Sequence, residues 1–393
     1  MKPVKREILK EFLSLMRQYP VVTITGPRQS GKTTLAKSAF PKLPYYSLES
    51  PDVRSRVLRD PRAFLAGHPD GMVIDEIQKV PELPSYLQGV VDEHRKKGLF
   101  VLTGSRQFEI MSRVSQSLAG RTALLKLLPF SFREISLLKG RMDADALLLN
   151  GCYPRVYSEK QEAYKSYRNY FETYVERDLR DLLAVKDLAA FEKFVRLCAG
   201  RIGGILNASA LAGEVGVSYH TIQSWLSILQ ASYLIFLLQP YYGNIGKRIV
   251  KSPKIYFYDT GLAAFLLGID GKAQIENHPL RGMLFENMVI LELMKSRFNR
   301  GYDHDLFYYR DNNGNEVDVI FKTGAGLVPV EIKSSSTFHV DYLKGLEYFR
   351  KIVPKECRPG YLVYSGKNET LTGNWRAINF IHARDIVEPS NQK

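Results

Sequence analysis

Residues 26–33 constrain this chain of 393 residues more than any other segment, because they read G-P-R-Q-S-G-K-T between two recognisable elements. The run at 20–25 is short, apolar and β-branched, which predicts a buried strand, and the residues after the motif predict a helix. The glycines let the backbone turn so that successive N–H groups face one point, to which the helix adds its positive dipole end. The pattern therefore predicts a phosphate-binding loop within a parallel α/β sheet.

Within this loop the sequence assigns roles to individual side chains. Lys32 is placed to reach the β- and γ-phosphates of a nucleotide, and Thr33 is placed to hold Mg²⁺ through its hydroxyl. The expected cofactors are therefore ATP and Mg²⁺. The alternative, an ordinary glycine-rich turn, does not account for the strand before the motif and the helix after it. The predicted nucleotide-binding residues are Gly26, Pro27, Arg28, Gln29, Ser30, Gly31, Lys32, Thr33 and Thr34.

A second segment, M-V-I-D-E at 72–76, is an apolar strand that ends in two acids. Asp75 is expected as a ligand of the Mg²⁺, and Glu76 is expected to act as the general base that polarises the attacking water. Alone, such a strand end is most often a solvated surface, but after a phosphate loop it is the expected partner. The next strand ends in L-T-G-S at 102–105, so polar side chains again emerge where open parallel sheets bind ligands.

The composition narrows the class of protein and of partner. The chain carries 55 Lys and Arg against 41 Asp and Glu, a formal net charge of +14, which favours polyanionic partners such as nucleic acid, nucleotide or anionic lipid without choosing among them. With 45% hydrophobic and 24% charged residues, it is neither disordered nor collagen-like. Its three cysteines lack the spacing of a disulfide framework or a zinc site, and no stretch approaches 18 apolar residues. We expect a cytoplasmic protein with no membrane partner.

The pattern of predicted elements divides the chain into four parts. Residues 1–135 alternate strands and helices, and residues 136–200 are mostly helical and resemble a lid. Residues 201–270 form a smaller module, and residues 271–393 return to mixed helix and strand. The predicted fold class is therefore α/β.

The third part has the proportions of a helix-turn-helix followed by a wing. Ala212 and Gly216 are spaced for a close helix crossing, and Ser218 is a good N-cap for the second helix. This winged-helix interpretation predicts contact with nucleic acid, whereas a packing or oligomer module is the alternative, because the exposed helix carries no Lys or Arg. The residues expected to face a groove are Tyr219, His220, Gln223 and Ser224, with Lys247, Arg248, Lys251 and Lys254 in the wing-like segment.

The fourth part places two acids and a lysine on neighbouring predicted strands. Asp318 and Glu331 would hold a second Mg²⁺, and strand alternation puts Lys333 on the same face as Glu331, where its ammonium would orient or deprotonate water. Glu286, on an earlier predicted helix, is the fourth polar residue of this possible site. An E-x-K triplet is expected about once by chance in a chain of this length, so the spacing alone predicts little.

Several segments together resemble the AAA+ ATPases, specifically the bacterial and archaeal family that joins an AAA-type domain to a C-terminal nuclease-like module. The resemblance spans nearly the whole chain, and it implies a PD-(D/E)xK site of the restriction-endonuclease-like fold at Asp318, Glu331 and Lys333. The segments are G-P-R-Q-S-G-K-T at 26–33, I-D-E-I-Q at 74–78, L-T-G-S at 102–105, L-A-G-R at 118–121, L-P-F-S at 128–131 and Y-F-Y-D-T-G-L at 256–262.

The resemblance also implies roles that the motifs alone do not. Ser105 or Thr103 would be the sensor of the γ-phosphate, and Arg121 would be an arginine finger that reaches a neighbouring subunit, which makes a homo-oligomer the expected assembly. An ion pair at the surface or within the domain is an equal alternative for Arg121, and Arg28 is a weaker rival for the finger. No second sensor arginine is identifiable in the helical region.

The expected function is a Mg²⁺-dependent AAA+ ATPase that couples ATP hydrolysis to the handling of DNA or RNA. One alternative keeps ATP binding as a slow switch that governs assembly or regulation without cleavage. Another makes the C-terminal part a metal-dependent DNA nuclease that ATP licenses. The implied architecture is a P-loop NTPase sheet with a helical extension, a winged-helix module and a C-terminal restriction-endonuclease-like domain.

Overall fold

The computed structural model describes residues 4–104, 117–140, 143–175, 187–241 and 251–388. Among these residues, no helix combines the length and the apolar character that crossing a bilayer requires. The chain divides into two compact units, and the three predicted parts at 136–200, 201–270 and 271–393 lie almost entirely in the second. The first unit is Met1–Leu138 with Ala231–Tyr233 and Phe298–Tyr302, and the second is Lys139–Gln230, Leu234–Arg297 and Asp303–Lys393.

A five-stranded sheet with only parallel pairings forms the centre of the first unit, which confirms the predicted parallel α/β sheet. Every residue of the first, third and fourth strands is buried, as expected for strands that helices cover on both faces. The spatial order is β2-β3-β4-β1-β5. The strands are β1 (Val21–Thr25), β2 (Tyr45–Ser47), β3 (Met72–Asp75), β4 (Phe100–Thr103) and β5 (Thr122–Lys126).

Helices pack on both faces of this sheet, because its strands are apolar on both sides. Val21 contributes to one buried cluster and Val22 to the other, and Phe100 and Val101 divide in the same way. Since β1 lies beside β4, and β4 beside β3, the polar carboxyl ends of these three strands meet at one edge. The helices are α1 (Leu9–Gln18), α2 (Lys32–Ala39), α3 (Pro51–Arg59), α4 (Pro61–Ala66), α5 (Leu83–His94) and α6 (Phe132–Lys139).

The second unit begins with a helical region that contains the predicted helix-turn-helix. Asn207 caps the first helix of that pair by accepting the N–H of Ala210 at 3.0 Å, and Ser218 caps the second by accepting the N–H of Thr221 at 3.1 Å. Gly216, with a φ of +88°, ends the first helix. The described helices are α7 (Ala144–Asn150), α8 (Pro154–Ser158), α9 (Ala163–Tyr170), α10 (Leu188–Ala199), α11 (Ala208–Val215), α12 (Tyr219–Ala231), α13 (Thr260–Leu266), α14 (Lys272–Asn277), α15 (Arg281–Phe298) and α16 (Lys344–Ile352).

An antiparallel ribbon of β6 (Ile235–Leu238) and β7 (Lys254–Phe257) follows the helix pair. On α12, the side chains of Tyr219, His220, Gln223 and Ser224 are exposed. In the wing-like segment, Lys247 and Arg248 lie outside the described residues, and Lys251 is exposed. Lys254 is only 2% exposed, so its placement among surface cations was wrong.

A six-stranded mixed sheet closes the second unit. Its spatial order is β12-β13-β11-β10-β9-β8, in which β8, β9 and β10 are antiparallel while β10, β11 and β13 are parallel. Val319 pairs with Val330, which brings Asp318 and Glu331 to adjacent positions on neighbouring strands. The strands are β8 (Leu306–Arg310), β9 (Glu316–Thr323), β10 (Gly326–Lys333), β11 (Gly360–Tyr364), β12 (Thr370–Thr372) and β13 (Trp375–Asn379).

Candidate functional site

The predicted phosphate loop connects β1 to α2 and packs closely against the chain after β5. Gly26 has a φ of +143°, and a Cβ atom there would lie 2.1 Å from the carbonyl oxygen of Leu127. Gly31 has a φ of +95°, and Gln29 between them is also left-handed at +61°. Both glycines are therefore required by the backbone, the first by close approach and both by conformation.

Lys32, the first residue of α2, points its ammonium back into the loop. Its Nζ donates to the carbonyl oxygens of Gly26 and Pro27 at 2.9 and 2.8 Å. Burial lowers the pKa of Lys32 to about 8, and the nearby carboxylates of Glu76 and Asp75 partly offset that effect. The ammonium is thus held in the loop by two neutral carbonyl groups, which charged phosphate oxygens can replace.

Asp75, at the end of β3, is the point on which three hydroxyl groups converge. Its Oδ2 accepts from Thr33 Oγ1 at 2.9 Å and from the Tyr45 hydroxyl at 2.7 Å, while its Oδ1 accepts from Thr103 Oγ1. These donors come from α2, β2 and β4, so the strand order of the sheet assembles them. The Thr33 hydroxyl and the Asp75 carboxylate are oxygen donors of the kind that Mg²⁺ prefers, and they lie within one hydrogen bond of each other.

Tyr45 was missed by the sequence reasoning. Burial, together with its hydrogen bond to Asp75, raises the pKa of Tyr45 well above its ordinary value, so its hydroxyl stays a donor at neutral pH. The available signal was the short apolar run Y-Y-S-L at 45–48, which is typical of a strand. That β2 lies directly beside β3 cannot be read from the sequence.

Glu76 directly follows β3 in a left-handed conformation, with a φ of +55°. Its carboxylate accepts from the side-chain amide of Gln78, and the residue is half-buried. Arg28 is also half-buried, in the loop itself, and Thr34 is exposed on α2. Ser105, one of the two sensor candidates, lies outside the described residues; the other, Thr103, contacts Asp75.

Arg121, at the start of the segment that leads into β5, pairs with Asp92 on α5. Its Nε and Nη2 lie 2.6 and 2.8 Å from the two oxygens of that carboxylate, a two-bond contact. The hydrogen bond to Arg121 lowers the pKa of Asp92. The structure thus has the ion pair within the domain that was the alternative for this residue, and a finger role across subunits stays a prediction.

The second candidate site is a group of buried and half-buried side chains in the second unit, here named the acid–lysine cluster. Lys333 Nζ lies 2.5 Å from Glu331 Oε1 and 3.8 Å from Asp318 Oδ2. The backbone N–H of Ile332 donates to Asp318 Oδ2 at 2.8 Å. The structure therefore brings four sequence-predicted residues together, because Glu286 reaches the same cluster through Lys254. The cluster consists of Lys254, Glu286, Glu316, Asp318, Glu331 and Lys333.

Lys254 joins this cluster from β7, whereas the sequence pattern places it in the wing-like segment. Its Nζ lies 3.1 Å from Glu286 Oε1 and 2.5 Å from Glu316 Oε1, and Glu286 also accepts from the Tyr256 hydroxyl. Although burial alone lowers it, the pKa of Lys254 is raised because Glu286 and its neighbours favour the charged form. The ammonium is thus a permanent partner of two carboxylates, and the sequence held no signal for that pairing.

Two carboxyl groups of the cluster have pKa values above their ordinary range. Burial raises the pKa of Glu286 to about 7, and burial and the nearby Asp318 raise the pKa of Glu331 to about 8. Within the described part of the chain, Glu331 Oε2 is buried and has no hydrogen-bond partner. A buried oxygen of this kind fits a cation ligand. Among the described residues, however, no three His, Cys, Asp or Glu side chains are arranged to hold a metal ion.

Comparison with known proteins divides the chain into three matched segments. Residues 18–136 match the AAA domain, a range that contains the phosphate loop, Asp75 and Glu76. Residues 141–273 and 281–382 match two domains of unknown function, DUF8612 and DUF4143. The nuclease-like reading of the last segment therefore stays a prediction.

The chain is similar to curated proteins and to solved structures. The uncharacterized proteins Mb2031c of Mycobacterium bovis and Rv2008c of Mycobacterium tuberculosis are each 32% identical over 337 residues, which is 85% of this chain and 74% of theirs. The Walker-type ATPase PABY2304 of Pyrococcus abyssi is 13% identical, with a TM-score of 0.47 over 67% of this chain and 96% of its own.

Proposed function

The chain belongs to the family of the mycobacterial proteins Mb2031c and Rv2008c and carries an AAA-type ATPase domain, and from this premise we propose that it couples Mg²⁺-dependent ATP hydrolysis to the handling of DNA or RNA. The observation that carries the proposal is the 2.9 Å contact between Thr33 Oγ1 and Asp75 Oδ2. It joins the hydroxyl of the phosphate loop to the strand-end acid, the two groups that such sites use for the metal.

The residues around this contact have separable tasks. Thr33 and Asp75 would hold the Mg²⁺, which when bound neutralises charge on the β- and γ-phosphates. Lys32 exchanges its two carbonyl partners for phosphate oxygens. Tyr45 and Thr103 donate to the two oxygens of Asp75 and so fix the carboxylate in one orientation. Glu76 orients the attacking water and accepts its proton.

The nucleic-acid part of the proposal is supported by charge and by one exposed surface. The formal net charge of +14 attracts a polyanion, and the exposed face of α12 presents Tyr219, His220 and Gln223. The helix pair and the ribbon that follows it have the order of a winged helix. We further propose a homo-oligomer in which Arg121 leaves Asp92 to reach the nucleotide of a neighbour.

The test is ATP turnover by the purified full chain, measured with and without DNA or RNA. We expect Lys32→Ala to abolish turnover, because the ammonium at the phosphates is lost. Lys42→Ala is a matched control that removes an exposed lysine from the loop after α2 and leaves turnover unchanged. Wild-type turnover no greater than that of Lys32→Ala would contradict the proposed ATPase activity. A turnover rate that does not change when DNA or RNA is added would favour a regulatory or assembly switch.

A second candidate function, a metal-dependent nuclease, is favoured by the partnerless Glu331 Oε2 beside Asp318 and Lys333. Here Asp318 and Glu331 would hold the metal, and Lys333 would orient water. We expect nicking of supercoiled DNA with Mg²⁺ or Mn²⁺ that Lys333→Ala abolishes and that the exposed control Lys322→Ala preserves. No nicking of plasmid, linear or single-stranded substrates by the wild-type chain would contradict this candidate.

A further inference from the structure

Arg6 lies three residues before α1, is 8% exposed, and contacts the backbone of the phosphate loop. Its Nη1 donates to the carbonyl oxygen of Ser30 at 2.7 Å, its Nη2 to that of Leu128 at 2.7 Å, and its Nε to Glu134 Oε1 at 3.0 Å. One guanidinium therefore ties the loop to the segment that follows β5. All of these residues belong to the first unit.

The charge of Arg6 is already matched, so this side chain is not a phosphate ligand. Glu134, on α6, is 1% exposed and also accepts the backbone N–H groups of Glu7 and Ser131 at 2.7 and 3.0 Å. A carboxylate with three donors holds the guanidinium in a fixed position. Any influence of Arg6 on a nucleotide must therefore pass through the backbone of the loop.

The peptide between Ser30 and Gly31 transmits that influence. In a trans peptide the carbonyl oxygen and the following N–H point in opposite directions, so holding the oxygen of Ser30 fixes the direction of the Gly31 N–H. Arg6 Nη1 also lies 3.4 Å from the position that a Cβ on Gly31 would occupy, so it packs directly against this peptide. The contact keeps the N–H on the side of the loop opposite Arg6.

We propose that Arg6 is a positioning residue for nucleotide binding: it holds the 30–31 peptide so that the Gly31 N–H faces the phosphates. The inference rests on the proposed ATPase function, and it adds a residue that no nucleotide-binding motif contains. It acts on binding, since the loop must be set before phosphate arrives. Loss of Arg6 is therefore expected to weaken nucleotide affinity more than it slows the chemical step.

The test compares three variants of the full chain. Arg6→Met with Glu134→Gln removes the loop contact without leaving a lone buried charge. Glu134→Gln alone keeps the guanidinium but removes the charge that holds it, and Arg133→Met removes a neighbouring arginine that is 68% exposed and lies 3.6 Å from Glu7. We expect the double variant to bind a fluorescent ADP roughly tenfold more weakly, the loss typical of one charge-assisted hydrogen bond. Glu134→Gln should show a smaller loss, and Arg133→Met should bind within about twofold of wild type.

Binding by the double variant at wild-type affinity would overturn the proposal, as would an equal loss in Arg133→Met. If the double variant does not fold, Arg6→Lys replaces it, because a single ammonium cannot serve three separate acceptors. The same tenfold loss is expected there, and wild-type affinity would overturn the proposal.

Hydrogen exchange separates this proposal from the function on which it rests. Without nucleotide, amides of residues 26–33 should exchange faster in the double variant than in wild type, while those of β1 and β4 stay protected. Unchanged loop exchange would overturn the role of Arg6, even in a protein that binds nucleotide. Failure of wild-type protein to bind ADP or ATP would instead contradict the proposed ATPase function. The exchange rates would still test whether Arg6 orders the loop.

Discussion

The nucleotide site and the acid–lysine cluster hold their buried carboxylates by different means. Asp75 is held by three neutral hydroxyl groups, those of Thr33, Tyr45 and Thr103. The acids of the cluster are instead held by two ammonium groups, those of Lys254 and Lys333. Neutral donors orient a carboxylate without cancelling its charge, whereas ammonium groups cancel it. The first arrangement is prepared for a cation from solution, while the second already contains cations of its own.

The largest expected effect comes from removing the charge that the hydroxyl groups orient. Asp75→Asn keeps the size of the side chain but should reduce kcat for ATP about a hundredfold or more, the scale of losing one oriented electrostatic group. Steady-state ATP turnover measures it. Asp318→Asn is the comparison, and it should leave ATP turnover unchanged. Equal losses in the two variants would mean that the sites are not separate in function.

The next effect concerns the cluster and is one of stability. Lys254→Met leaves Glu286 buried without its ammonium and should lower the free energy of unfolding by about 3–5 kcal/mol, the usual result of breaking a buried ion pair from one side. Urea unfolding measures the change. Adding Glu286→Gln to the same variant should recover most of the loss. If the single variant is as stable as wild type, the internal cations are not what supports these acids.

The third effect is a pH dependence that only the nucleotide site should show. The pKa of Lys32 is lowered to about 8 in the free protein, so its ammonium deprotonates as the pH rises through 8. Because the charged form binds phosphate, kcat/KM for ATP should fall by roughly tenfold per pH unit above that value. The kcat should begin to fall only at a higher pH. A pH profile of initial rates checks this. A kcat/KM that stays flat to pH 10 would contradict the assignment.

The smallest effect tests whether the neutral donors act together. Tyr45→Phe removes one of three hydroxyl groups from Asp75 and should reduce ATP turnover about fivefold, since a hydrogen bond of this kind contributes about 1 kcal/mol. Tyr46→Phe is the matched control, because that ring packs against Phe64 and His68. A loss in the control as large as in Tyr45→Phe would show that the strand, and not the hydroxyl, is responsible.

The same two regions show how far sequence reasoning reaches. The loop at 26–33 and the acids at 75 and 76 were predictable because each motif is one continuous segment whose backbone sets its own geometry. Tyr45 was not, because its partner is 30 residues away and is reached only through the order of strands. Lys254 was assigned to the surface, since nothing in its neighbourhood of the chain indicates the acids on α15 and β9 that bury it. Local patterns therefore predicted elements and motifs, and tertiary pairing supplied the remaining partners.

Arg6 also matters for where a domain is said to begin. The match to the AAA domain starts at residue 18, and thus includes Glu134 and Ser30 but omits the side chain that joins them. A fragment cut at that boundary would retain every residue of the phosphate loop together with Asp75 and Glu76, lose α1, and leave a fully buried glutamate without its counter-charge. For relatives of this chain, an excised ATPase unit should start upstream of the position equivalent to residue 6, and a homologue that lacks an arginine there would need another way to steady its loop.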